Sequence, residues 1–172
     1  MNYKEKFKQI TTVVFDVDGV FTTGEVILMP GAEPVRTFHS KDGYALQLAV
    51  RNGIKVGIIT GGSSDQVKER FASFNIHDVY LKAHDKMDAF NDFKAIYDLT
   101  DEEILYMGDD LPDYDVLKRV GLACAPQDAA PEIKSIVDYV SPVDGGKGCV
   151  RDVLEQLLKI KGLWARPEDR TW

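Results

Sequence analysis

Cysteine is scarce in this chain. Its two cysteines, Cys124 and Cys149, are too few for a disulfide framework and lack the C-x-x-C spacing of a zinc site. Both sit beside small or apolar neighbours and read as buried hydrophobes. The three histidines, His39, His77 and His84, share no ligand spacing. No run approaches the ~20 apolar residues that span a bilayer, and the opening stretch MNYKEKFKQI has no apolar leader core. Positive charge is the minority: 21 lysines and arginines stand against 28 aspartates and glutamates, a net charge of −7. That balance argues against a basic nucleic-acid-binding face. A cytoplasmic protein that touches neither membrane nor nucleic acid is expected. A small anionic substrate stays possible, because a bound cation and a few lysines override the global sign locally.

What the chain does have is 44% hydrophobic and 28% charged residues over 172 positions, enough for one domain spanning 1–172 with a sizeable core. Short apolar runs alternate with amphipathic segments, the signature of a parallel sheet covered by helices. Residues 11–17 (TTVVFDV), 55–60, 104–109 and 122–125 read as strands buried on both faces, with weaker candidates at 79–81 and 139–141. Helices are expected over 42–52, 64–74, 85–97 and 148–160. The last is the clearest, with Val150, Val153, Leu154, Leu157 and Leu158 on one face. The fold class is therefore α/β: a three-layer, Rossmann-like parallel sheet with helices on both faces. Two segments break the alternation. Residues 24–40 carry two apolar-alternating runs around Pro30-Gly31-Ala32-Glu33 and read as a small β-hairpin flap. The polar tail, 161–172, has no helical period, but its two tryptophans call for a surface to dock on.

In an open parallel sheet, ligands bind at the carboxyl ends of the strands, and the acidic residues fall there. Asp16 and Asp18 end the first strand; Asp109, Asp110 and Asp113 follow the strand ending at Gly108; Thr60 ends the second strand, and Lys86 opens a helix. Carboxylates crowded together need a cation to ionise jointly. An all-oxygen set without histidine or cysteine selects Mg²⁺. Adjacent strand residues point to opposite faces, so Asp16 and Asp18, two apart, address one site.

Asp16-Val17-Asp18-Gly19-Val20, Thr60, Lys86 and Gly108-Asp109-Asp110-Leu111-Pro112-Asp113 together resemble, in order, the motifs of the haloacid dehalogenase superfamily. The resemblance implies a phosphoric monoester hydrolase with Mg²⁺ as cofactor. Asp16 would be the nucleophile and Asp18 the general acid and base; Thr60 would donate to a phosphoryl oxygen, and Lys86 would offset its charge and orient Asp16. Asp16, the backbone carbonyl of Asp18, and Asp109 would hold the metal, with Asp110 and Asp113 behind them. Residues 19–59 and 61–85, the two intervals where the superfamily inserts a cap, are already filled by the elements above, and an independent domain needs about 50 residues. The chain therefore reads as capless, and a homotetramer whose neighbours close each site is implied.

Within the superfamily the resemblance is to capless sugar-acid phosphate phosphatases of lipopolysaccharide precursor synthesis. It is carried further by Lys41-Asp42-Gly43-Tyr44 and Gly145-Gly146-Lys147-Gly148-Cys149-Val150-Arg151. It implies a phosphorylated sugar acid as substrate, 3-deoxy-D-manno-octulosonate 8-phosphate, with a nine-carbon sialic-type 9-phosphate as the alternative. Lys41, Gly61 and Arg151 are then the substrate-binding candidates. Gly62 stands where relatives usually have arginine, so a cation is missing there. From other classes, a receiver domain fits the paired Asp16 and Asp18 badly, since an acid/base beside the phosphoacceptor would shorten the life of the switch. A non-catalytic assembly module would not need every catalytic residue type retained.

Overall fold

In the computed structural model, which describes residues 2–171, six parallel strands form one sheet in the order β3-β2-β1-β4-β5-β6. They are β1 (Thr12–Phe15), β2 (Lys55–Ile59), β3 (Val79–Tyr80), β4 (Ile104–Met107), β5 (Leu122–Ala125) and β6 (Tyr139–Val140). Each lies inside its expected segment. The central strands β1, β4 and β5 are buried throughout, which is why they read as continuous apolar runs. Strand parity divides the core in two. Val13 and Phe15 of β1 pack with α2 (Ser40–Arg51), α3 (Asp65–Ala72) and α7 (Cys149–Ile160). Val14 faces the other way, onto α4 (Lys86–Tyr97), α5 (Tyr114–Leu117) and α6 (Pro131–Lys134). A short α1 (Tyr3–Lys6) precedes the sheet. Single-turn α1, α5 and α6 have too few residues to show a helical period.

Helix α2 starts at Ser40, earlier than expected, because the His39 ring accepts from the Lys41 amide at 3.3 Å. Helix α7 begins after Gly148, which has no side chain to cap it, and its cap comes from another helix: Oδ1 of Asp42 accepts from the Arg151 amide at 2.7 Å. This contact ties α2 to α7 on the face that carries the larger core cluster.

The flap is less regular than the sequence pattern suggests. A single antiparallel bridge joins Ile27 and Val35, and Val26, Ile27, Leu28 and Met29 stand exposed. The Ala32 amide donates to the Met29 carbonyl at 3.3 Å, a turn that takes the oxygen the next rung would need. The tail docks on its own chain. Leu163 and Trp164 pack against the core beside α2 and α7, the Arg51 guanidinium donates to the Thr171 carbonyl, and Arg166 donates to Asn52. Of the two tryptophans, Trp172 lies outside the described residues.

Burial pushes the Asp42 carboxyl up to about 6 against its hydrogen bond from Arg151, and its Oδ2 has no partner. A folded-state value above the unfolded one means stability is fully present at low pH and is lost as pH rises through about 6. Asp42→Asn keeps an acceptor for Arg151 and removes the charge. Between pH 4 and pH 7 the variant should gain on the wild type in unfolding free energy by up to about 3 kcal/mol, read from denaturant titrations. Parallel pH curves would show that Asp42 carries no such penalty.

Candidate active site

The strand order reverses between β1 and β4, which leave the sheet side by side, so the loops after them diverge and open a crevice at the carboxyl edge. A cavity of about 640 Å³ fills it, lined among others by Asp16, Asp18, Thr60, Gly61, Lys86, Asp109, Asp110, Asp113 and Asp128. The four separate motifs are thus one site.

Lys86 is its hub. At the first turn of α4, its buried ammonium lies 2.9 Å from Oδ1 of Asp16 and 2.7 Å from Oδ1 of Asp113. Burial draws its pKa down, but Asp113 and Asp16 outweigh that and hold it above the ordinary lysine value. Asp16 Oδ1 also accepts from the Val17 amide at 2.7 Å, which fixes the carboxylate. Burial, then the negative charge of Asp113, pushes the Asp16 carboxyl well above its usual range. The same two causes push Asp109 up to about 7.

Oxygens of Asp16, Asp109 and Asp113 lie within 4.8 Å of one another. The set fits a hard divalent cation in both chemistry and crowding: three acidic groups share one small volume with a single lysine. Asp113 is already saturated, however. Its Oδ1 accepts from Lys86 and from the Tyr106 hydroxyl at 2.6 Å, and its Oδ2 from the amides of Asp109 and Asp110 at 3.1 and 3.4 Å. It therefore braces Lys86 and the Asp109 loop, and Asp16 and Asp109 are the side chains left to hold a cation. Asp110 caps the turn at Leu111 and faces the cavity rim. Gly19 is required beside them: it has φ +88°, and a Cβ there would lie 1.9 Å from Oδ2 of Asp109.

Asp18 contributes no side-chain oxygen to that cluster. Its Oδ1 accepts from Arg36 Nε at 2.8 Å and from the Thr22 hydroxyl at 3.2 Å, and its Oδ2 from Arg36 Nη2 at 3.1 Å. Thr60 Oγ1 accepts from the Gly62 amide at 3.1 Å, which leaves its hydroxyl proton free to donate into the cavity.

Neither Lys41 nor Arg151 is brought to this cavity. Lys41 is exposed at the start of α2. Arg151 lies 4.4 Å over the Trp164 ring and 2.9 Å from Glu155, bound by the tail and by its own helix. Of the three candidate substrate residues only Gly61 lines the cavity. Three participants were not singled out from the sequence. Tyr106, a lone polar group inside an apolar strand, anchors Asp113. Asp128, which follows β5 as the other acids follow theirs, accepts from the Gly145 amide at 2.8 Å. Arg36 is the one cation in an apolar-alternating flap.

Residues 64–151 match the model of a haloacid dehalogenase-like hydrolase family. The chain belongs to the haloacid dehalogenase-like hydrolases. Among relatives in this family, it is 36% identical over 157 residues to the 3-deoxy-D-manno-octulosonate 8-phosphate phosphatase of Escherichia coli K12, covering 91% of this chain and 84% of that one. The Yersinia pestis phosphatase of the same name has a solved structure that superposes with a TM-score of 0.91 at 30% identity, over 94% of this chain and 87% of that one. The Moraxella catarrhalis phosphatase, solved with magnesium, phosphate and 3-deoxy-D-manno-octulosonate, gives 0.89 at 30% identity over 92% and 91% of the two chains. The sheet order is that of the family's fold; among the described residues there is no separate cap and no helix long and apolar enough to cross a membrane.

Because Asp16 and Asp109 are held above the ordinary carboxylate range, the cation-free protein loses stability as pH rises through about 7. A cation must displace those protons, so it binds more tightly at higher pH. The rise in Tm on adding millimolar Mg²⁺ should be larger at pH 8 than at pH 6 by scanning calorimetry. An equal or smaller rise at pH 8 would contradict the raised carboxyls of Asp16 and Asp109.

Proposed function

We propose that this chain is a Mg²⁺-dependent phosphatase that hydrolyses 3-deoxy-D-manno-octulosonate 8-phosphate to the free sugar acid and phosphate. The observation that carries the reading is the convergence of Asp16, Asp18, Thr60, Lys86 and Asp109 on one cavity. It occurs in a chain that matches phosphatases of that substrate over nine-tenths of its length.

The residues divide the work. Asp16 and Asp109 would hold Mg²⁺, which when bound screens the charge between a carboxylate nucleophile and a phosphoryl group. Oδ2 of Asp16 attacks phosphorus, the ester P–O bond breaks, and the proton carried by Asp18 goes to the departing sugar oxygen. A water then attacks the aspartyl-phosphate, gives its proton to Asp18, and the bond between phosphorus and Asp16 breaks to return the free carboxylate. Lys86 keeps Asp16 aimed and, with the Thr60 hydroxyl, offsets the charge on the phosphoryl oxygens. Gly61 lets the phosphoryl group approach the backbone beside Thr60: nothing lies within 4 Å of where its Cβ would be.

The same reading includes a homotetramer in which neighbours close each site. It is supported by the exposed apolar side chains of the flap, Ile27, Leu28 and Met29, which no described residue covers. Burying such a patch against another copy is favourable at about 25 cal/mol per Å², and closing the rim would exclude water from the intermediate.

Two measurements test the reading. Asp16→Asn should cut kcat by on the order of 10,000-fold or more while leaving the fold intact by circular dichroism; retained turnover would remove Asp16 as nucleophile. Phosphate release should favour the eight-carbon acid 8-phosphate over the nine-carbon acid 9-phosphate and a hexose phosphate in kcat/KM, by roughly 10- to 200-fold. A preference for the nine-carbon acid would keep the chemistry and change the substrate.

A further inference from the structure

Arg36 has no part in the chemistry above, yet it is the only side chain of the flap that reaches a catalytic group among the described contacts. Its guanidinium engages both oxygens of Asp18, with Nε to Oδ1 at 2.8 Å and Nη2 to Oδ2 at 3.1 Å, a bidentate fork of fixed geometry. The arginine side chain is 13% exposed and the aspartate 35%, so the pair sits at the cavity wall and not in bulk solvent. Nη1 of the same guanidinium donates to the Pro34 carbonyl at 3.4 Å. Immediately before Pro34, the Glu33 carboxylate accepts from the Ser64 hydroxyl at 2.6 Å, at the start of α3. The flap is therefore pinned at two points, one structural and one on the acid/base residue.

Position 62 borders this contact. A Cβ built on Gly62 would stand 3.4 Å from Thr60 Oγ1, 3.6 Å from Arg36 Nη2 and 3.9 Å from Asp18 Oδ2, so a side chain there would lie against the fork and against Thr60.

We infer that Arg36 is a positioning residue: from the flap it fixes the rotamer of the ionised Asp18 beside the leaving oxygen, and one oxygen of that carboxylate leaves the fork to carry the proton it delivers. The inference rests on the phosphatase reading above, because it assigns Arg36 a role through Asp18. Freed from the fork, Asp18 is held only by the Thr22 hydroxyl at 3.2 Å and samples other rotamers. Misplacement of a proton donor costs most where the leaving oxygen is most basic, since a good leaving group departs without help.

The test is a leaving-group series. Wild type, Arg36→Ala and Arg36→Lys are assayed with Mg²⁺ on aryl phosphates of graded leaving-group acidity and on an alkyl phosphate, with Tm recorded for each. For Arg36→Ala, kcat on the alkyl phosphate should fall on the order of 10- to 100-fold, with a smaller fall on the most activated aryl ester, so the leaving-group dependence steepens. Arg36→Lys, which supplies one contact in place of two, should lie between, and millimolar guanidinium should restore part of the Arg36→Ala loss. Parallel losses across the series without guanidinium rescue would make Arg36 a flap anchor only and overturn the inference while leaving the phosphatase reading standing. A wild type that releases no phosphate from any ester would overturn both.

Discussion

The charge balance around Lys86 is the constraint on which the site depends. A buried ammonium between two buried carboxylates is tolerable because each desolvated charge has a partner at hydrogen-bond distance, and removing one partner from such an arrangement costs about 3–5 kcal/mol. Here the partners come from three elements that are far apart in sequence. Asp16 leaves β1, Lys86 opens α4, and Asp113 closes the turn after β4. The ion pairs therefore do more than hold Asp16: they lock the loop after β4 against the loop after β1. Asp113 carries this furthest, since its second oxygen holds the amides of Asp109 and Asp110 and so sets where the cation-binding carboxylate points. One positive charge does not neutralise three acids, and the excess negative charge is what a divalent cation would remove.

Close backbone approach is the second requirement, and glycine meets it. The Gly145 loop rests directly on the loop after β1: a Cβ at Gly145 would lie 1.9 Å from the Gly19 carbonyl oxygen, and the Gly146 amide donates to Val20 at 2.9 Å. The segment entering α7 thereby supports the nucleophile loop from behind, and Asp128 fixes it by accepting from Gly145. The glycines before α7 thus bear on the site through contact with its loops, while Arg151, three residues into the same segment's helix side, turns to Trp164.

Much of this was legible in the sequence for a physical reason. Buried parallel strands must be apolar on both faces, so β1, β4 and β5 announce themselves, and acids placed just beyond apolar strands are conspicuous. Lys86 was legible only as part of that set. Other features were hidden because their signals are not local. Tyr106 reads as one more large residue in a strand, and only the position of Asp113 across the loop makes it a hydrogen-bond donor. The cap on α7 comes from Asp42, distant in the chain, where a search for a serine or aspartate beside the helix finds glycine. The flap showed the right alternation, but period alone does not report that a turn from Met29 to Ala32 takes the carbonyl the next rung needs.

The absence of a cap gives the flap its weight. In a site closed by a second domain, the acid/base residue is shielded wholesale. Here a short segment with one backbone bridge must do whatever the single chain does at that rim. A segment so weakly paired has little rigidity of its own and borrows it from its contacts, Glu33 on Ser64 and Arg36 on Asp18. Each contact constrains both partners, so the residue that steadies the flap is at the same time the one that holds the Asp18 carboxylate. An open, capless rim thereby ties the geometry of Asp18 to the segment that covers it, whereas Asp16 is held by Val17 and Lys86 at the sheet edge, away from the flap's contacts.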